Sequence, residues 1–236
     1  LCSIATLARV ISYLLAEHDL LVWSFFFGLI LVSVYLVGRE IQRWNLWAIL
    51  AAVGGVIFAY LITVASPLAM SVTPLTLFFG GSIAICAMIL PGISGSFILL
   101  LLGLYSGVLQ AVKIFDFTLL GCFMLGCVIG ILSFSRLLSW LLGHARNVTL
   151  AFLTGLLIGS LNKVWPWKQT LSWRINSHGE QVPLLQSNLL PAQYQSVSGE
   201  PSLWQAGLAL MVVAVVLVLL LDWCGHRSAS RGQHFD

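Results

Sequence analysis

A proline, two glycines and two hydroxyls fall together at Pro91-Gly92-Ile93-Ser94-Gly95-Ser96, between the apolar runs 75 to 90 and 97 to 109. Pro91 brings no N–H and glycine loosens a helix. In hydrocarbon no water satisfies the freed backbone groups, so such a break survives only against protein, a wet cavity or a ligand. Pro91 suits the first turn of a new helix, and Ser94 or Ser96 can cap it. The unpaired N–H groups there would then point outward with the positive end of the helix dipole behind them. The chemistry of that arrangement is anion binding, with phosphate the foremost candidate. Gly95 allows close approach, Tyr105 is placed to line the cavity, and Arg136 ends an apolar span at a depth from which a guanidinium can reach a phosphate. Two plainer readings stand beside this one: a glycine-rich kink or short loop at 91 to 96, and an Arg136 that snorkels to the headgroups.

The surroundings that must position these residues are a membrane. Of 236 residues 59% are hydrophobic and 8% charged, and the mean hydropathy is +1.00, outside the range of soluble globular chains. The apolar runs are continuous over helical lengths rather than alternating over about ten residues, which excludes a β-barrel and gives an all-α, polytopic helical bundle. A formal charge of +3 spread among loops excludes a nucleic-acid partner, which needs a basic face. Cys2, Cys86, Cys122, Cys127 and Cys224 show neither a disulfide framework nor zinc spacing, and His18, His144, His178, His226 and His234 are scattered. No metal site and no cofactor is expected.

Spans are expected at 21 to 37, 46 to 66, 117 to 135, 148 to 161 and 203 to 221, with a polar loop at 163 to 202. The transmembrane domain covers 1 to 222, and the polar tail 223 to 236 is expected to be disordered. Residues 75 to 90 would reach about 24 Å as a helix, short of a roughly 30 Å hydrocarbon core. A re-entrant hairpin fits, with 75 to 90 descending, 91 to 96 turning at depth and 97 to 110 returning; two short spans give the same loop parity. Lys and Arg divide almost evenly between the two sides, with a lean towards a cytoplasmic C-terminus. Glycines recur four apart at Gly103/Gly107, Gly126/Gly130 and Gly155/Gly159, which lets helix backbones approach closely. The oligomeric state stays open, a homo-oligomer included. Tryptophans near span ends, Trp23, Trp44, Trp47, Trp140, Trp165, Trp167, Trp204 and Trp223, read as interfacial anchors.

Three segments carry a family likeness: Pro91 to Phe97 running into Leu101-Leu102-Gly103-Leu104-Tyr105; Phe134-Ser135-Arg136-Leu137-Leu138; and Gly159-Ser160-Leu161 with Trp165-Pro166-Trp167. In that order they resemble the bacterial undecaprenyl-phosphate (polyprenyl-phosphate) translocases, over roughly residues 20 to 222. The resemblance implies a transporter rather than an enzyme, one that recycles a polyprenyl phosphate lipid carrier across the bacterial cytoplasmic membrane for cell-envelope polymer synthesis. Members of that family usually carry an earlier copy of the motif, Pro-Gly-Val-Ser-Gly-Gly-Thr after an aspartate, and nothing of the kind precedes Pro91. With the start at Leu1, the expectation is a fragment lacking its first helical hairpin.

On this reading the prenyl tail stays in lipid and only the headgroup needs a polar path. Amides near Ile93 to Ser96 and the two serine hydroxyls bind the phosphate while Arg136 offsets its charge. Two other classes compete. Gly92-Ile93-Ser94-Gly95 also matches the nucleophile pattern of intramembrane serine proteases of rhomboid type, with His144 as base, and a non-catalytic scaffold would need only the glycine pairs and tryptophans. No carboxylate falls inside a span, since Glu40, Asp116 and Asp222 all stand at span ends, so the coupling ion is not readable. Asp116 beside Lys113 reads as an interfacial pair.

Overall fold

A computed structural model describes Leu14 and residues 18–65, 67–68, 70–175, 181–199 and 201–232. Cys2, Arg9, Glu17, His178 and His234 lie outside these residues, as does the end of the expected tail, 233–236. The elements in chain order are α1 (Asp19–Arg39), α2 (Leu46–Val64), α3 (Pro74–Ile89), α4 (Gly95–Leu101), α5 (Tyr105–Lys113), α6 (Phe117–His144), α7 (Arg146–Val164), β1 (Lys168–Ile175), β2 (Gln181–Asn188), α8 (Pro191–Ser198) and α9 (Trp204–Gly232). Among the described residues α1, α2, α6, α7 and α9 are long and apolar enough to cross a membrane. This is the expected all-α, multi-pass bundle.

Helix starts follow local chemistry. Asn45 accepts from Ala48 N (2.8 Å) at the head of α2. Thr73 and Thr76 form a capping box ahead of α3, with Pro74 in its first turn. Asp116 Oδ1 accepts from Thr118 N and Leu119 N, both at 3.1 Å, and so caps α6. That is a structural role for a carboxylate read from sequence as half of an interfacial pair.

The chain forms two compact units. One is built on Leu36–Ser160, and in it glycine pairs set the spacing of two parallel helix contacts. A Cβ at Gly126 would run into Phe78 O, and one at Gly130 would stand 2.7 Å from Ser82 O, so α6 lies directly on α3. In the same way Gly155 faces Ala52 and Gly159 faces Val56, seating α7 on α2. Gly103/Gly107 is different. The segment expected as one returning helix, 97 to 110, breaks into α4 and α5 with a bend of 104°. Gly103 has φ +73, and Leu104 N bonds Leu99 O (2.9 Å) while Gly103 N bonds Leu100 O (3.0 Å), the Schellman ending of a helix. Leu68 N reaches across to Leu101 O at 2.6 Å, so the link before α3 satisfies a carbonyl the break leaves open.

The other unit gathers the chain up to Tyr35, Leu161–Arg174 and the chain from Gln181 onward. Here α1 and α9 run parallel and close, Gly28 against Met211 and Ala214, Gly207 against Ser24. The expected polar loop 163 to 202 is ordered into the hairpin β1-β2 and α8. Trp165 Nε1 donates to Leu189 O and Trp167 Nε1 to Ser202 O, each at 2.8 Å. Trp167 is buried with Leu20 and Tyr194, with the half-buried Trp165 packed against them, so both indoles are tied into this unit rather than being free interfacial anchors. The tail expected to be disordered from 223 continues as helix α9 to Gly232, since nothing between Trp204 and Gly232 breaks a helix apart from glycine.

Candidate functional site

The six residues of the motif connect α3 to α4. The two helices run antiparallel, with Gly95 against Ala84 O and Met88, and Gly80 against Leu99 and Leu104. At 16 residues α3 is about 24 Å long, and at seven residues α4 is about 10 Å. Neither alone matches a roughly 30 Å hydrocarbon core, and with the 104° bend into α5 the segment is a broken span or a re-entrant loop, the motif lying at the tip of the α3-α4 hairpin.

Inside the tip, the sequence expectation needs correcting in one respect. Pro91 does not open the new helix; Pro91 and Gly92 make a turn, with φ +86 at Gly92, as in a type II turn with proline then glycine at its centre. The helix begins four residues later at Gly95. Ser94 holds the N-cap position but makes no capping bond, because its Oγ pairs with Ser96 Oγ at 2.9 Å instead. A seven-residue helix contributes little macrodipole, so the donors of this tip are amides and hydroxyls rather than a helix end. The amides of Gly92, Ile93, Ser94, Gly95 and Ser96 find no acceptor among the described residues, while Gly92, Ser94 and Ser96 are exposed. Open N–H groups beside two hydroxyls are what a tetrahedral oxyanion requires.

The other residues singled out from sequence are placed differently. Tyr105 starts α5, beyond the 104° bend, and packs against the cluster of Leu77, Ala84, Leu99 and Leu104 with the length of α4 between it and the tip. Arg136 is exposed on α6. Ser82 and Cys86 both meet Gly130, an offset of about 45 positions along parallel helices that brings Arg136 level with Pro91. By helical phase, however, it lies about a third of a turn away from the α3-facing stripe of Phe123, Gly126, Cys127 and Gly130. The structure thus gives Arg136 the depth of the tip but a different face of the helix.

The protease geometry is not formed. His144 stacks on Trp140 and its Nδ1 lies 3.0 Å from Trp140 O, while the Ser94 hydroxyl is held by Ser96. A nucleophile and its base must share a hydrogen bond.

One residue that sequence reasoning did not assign to the site is Ser160. A Cβ at Gly92 would stand 2.6 Å from its Oγ, and Ser160 is 1% exposed. It belongs to the Gly159-Ser160-Leu161 segment, which carried the resemblance without being given a role.

Comparison with known proteins bears on the same residues. The profile of the undecaprenyl phosphate translocase-like family matches residues 1–182. The polyprenyl-phosphate transporter of Vibrio cholerae is 58% identical over 220 residues, which is 93% of this chain and 71% of that protein. The polyprenyl-phosphate transporter of Staphylococcus aureus is 29% identical over 184 residues, 70% of this chain and 65% of its own length. No solved structure matches the chain. With the hairpin, its glycine-lined seat and most of the chain inside the match, the protein belongs to the undecaprenyl phosphate translocase-like family.

Proposed function

We propose that the chain translocates a polyprenyl phosphate, undecaprenyl phosphate in particular, across the bacterial cytoplasmic membrane to recycle the lipid carrier, and that the 91–96 tip holds the phosphate. Translocation makes and breaks no covalent bond, in keeping with relatives that are transporters rather than enzymes. The observation that supports the site is the set of amides from Gly92 to Ser96 that find no acceptor among the described residues, exposed at Gly92, Ser94 and Ser96, beside the paired hydroxyls of Ser94 and Ser96. A phosphate buried without partners is very costly, and hydrogen bonds to a charged group contribute about 1.5–3 kcal/mol each. Several such donors at the end of a re-entrant hairpin lower the barrier for the headgroup while the prenyl chain remains in lipid. Arg136, level with the tip, supplies compensating charge by reaching around α6.

The test is binding of polyprenyl phosphate to the purified chain in nanodiscs, with the phosphate-free polyprenol as reference. Ser94→Ala/Ser96→Ala should weaken phosphate-lipid binding about tenfold or more, leaving the thermal midpoint near that of the unsubstituted chain. Unchanged affinity in a folded double variant would remove the tip from the site. Arg136→Ala should give a smaller loss that shrinks further with added salt.

A further inference from the structure

Ser160 is remote from the hexapeptide in sequence, yet it is the surface the turn rests on. Gly92 lies so close to α7 that a Cβ there would stand 2.6 Å from Ser160 Oγ, 2.8 Å from Ser160 Cβ and 3.6 Å from Leu156 O. The hydroxyl donates to Leu157 O at 2.8 Å, which fixes its rotamer, so it presents the same surface to Gly92 throughout. The helix behind it has no room to yield, since Gly159 is packed on Val56 and Ala59 of α2. On the far side of the turn, Gly95 rests against Ala84 O and Met88.

The turn has few bonds of its own to define its shape. Its amides find no acceptor among the described residues, and its two serines bond each other. What fixes the direction of the N–H groups is therefore contact at both ends, with Ser160 under Gly92 and α3 under Gly95. We infer that Ser160 is a positioning residue for the headgroup: by seating Gly92 against α7 it aims the amides that follow. This rests on the reading that the tip holds the phosphate. Buried at 1% exposure and engaged with its own helix, Ser160 acts through the backbone it supports and not as a ligand. A site of this kind works only if its donors are held to within about 0.5 Å of the binding geometry, because hydrogen bonds weaken steeply as distance and angle drift.

Ser160→Val exchanges the hydroxyl for methyl bulk and pushes the turn off its seat; Ser160→Ala opens a gap beneath it. In nanodiscs of phosphatidylethanolamine and phosphatidylglycerol, polyprenyl phosphate binding should fall about tenfold in Ser160→Val and about threefold in Ser160→Ala, with polyprenol binding unchanged in both. Loss of discrimination between the phosphorylated and free lipid is the signature of misaimed donors, which a general loss of packing would not produce. If Ser160→Val does not fold, Ser160→Ala decides: a threefold loss of phosphate-lipid affinity sustains the role and wild-type affinity overturns it. Equal loss of both lipids also overturns it. Ser94→Ala/Ser96→Ala is measured alongside. If that variant binds more weakly while both Ser160 variants bind as wild type, only the positioning role falls; if none of the substitutions changes affinity, the site reading falls with it.

Discussion

Gly92 meets two independent demands at once. Its φ of +86 disfavours any residue with a Cβ, by about 1–2 kcal/mol, and a Cβ would also strike Ser160. Gly92→Ala should therefore lower the thermal midpoint in detergent and weaken phosphate-lipid binding together; a variant as stable as the parent would show that the turn relaxes freely. Asp116→Ala removes a cap with two amide partners and should cost about 1 kcal/mol with no effect on binding, separating stability from function in the same assay. The interruption of the apolar run at the proline and glycines was readable from the sequence, because breaks are expensive in lipid and these residues make them. The pairing of Ser94 with Ser96 was not, since it depends on where the helix starts after the turn, and that start is set by tertiary contacts at Gly92 and Gly95. Ser160 was hidden for a related reason: nothing local in Gly159-Ser160-Leu161 distinguishes a hydroxyl that supports another segment from one that bonds back to its own helix.

Among the elements, the contact of α3 with α6 is set by glycine rather than by large side chains, and the contrast between two glycines of α6 makes this measurable. Gly126 abuts the Phe78 carbonyl, whereas nothing lies within 4 Å of a Cβ at Gly121. Gly126→Val should destabilise by about 2 kcal/mol through forced separation. Gly121→Ala should be neutral or raise stability by up to about 1 kcal/mol through helix propensity. Equal effects would mean that close approach is irrelevant. The β1-β2 hairpin has a pH-dependent attachment. Lys168 Nζ donates to Lys163 O (2.5 Å) and lies 4.3 Å from the centre of the Trp23 ring. Burial first, then Lys163, pushes its pKa from the usual 10.5 down to about 8, against the pull of Asp19. The folded unit disfavours the ammonium, so between about 8 and 10.5 the unfolded chain binds more protons. Stability conferred through this group then rises with pH across that window and is flat below it. Hydrogen exchange of the hairpin amides, corrected for intrinsic rate, should show growing protection from pH 8 to 10, and Lys168→Met should abolish the trend; protection that falls with pH in the parent chain would contradict it. Apolar run lengths gave the five long helices to within a few residues except at the C-terminal ends of α6 and α9, but the hairpin and α8 were missed. A two-stranded ribbon with mixed polarity carries a much weaker periodic signal than a span, and its tryptophans read as anchors until their N–H partners are known.

For the molecule as a whole, a re-entrant α3-α4 hairpin makes a statement about sidedness within the Leu36–Ser160 unit. Between the corner at 40–45 and the corner at 114–116, a crossing along α2 followed by a hairpin that enters and returns would leave the two corners on opposite faces. Gln42→Cys and Phe115→Cys, each in a cysteine-free background, should be labelled by an impermeant maleimide from opposite faces of oriented vesicles. Labelling from the same face would require α3 to cross without returning. Sequence parity could not choose between a hairpin and two short spans, since both return the chain to the face it left; the 104° bend between α4 and α5 suits a broken span or a re-entrant loop.

The bond from Leu68 to the carbonyl of Leu101 ties the linker ahead of the hairpin to the elbow behind it. A tilt of the hairpin would then carry Leu68 along with the elbow, so that the hairpin and the approach to it move as one piece.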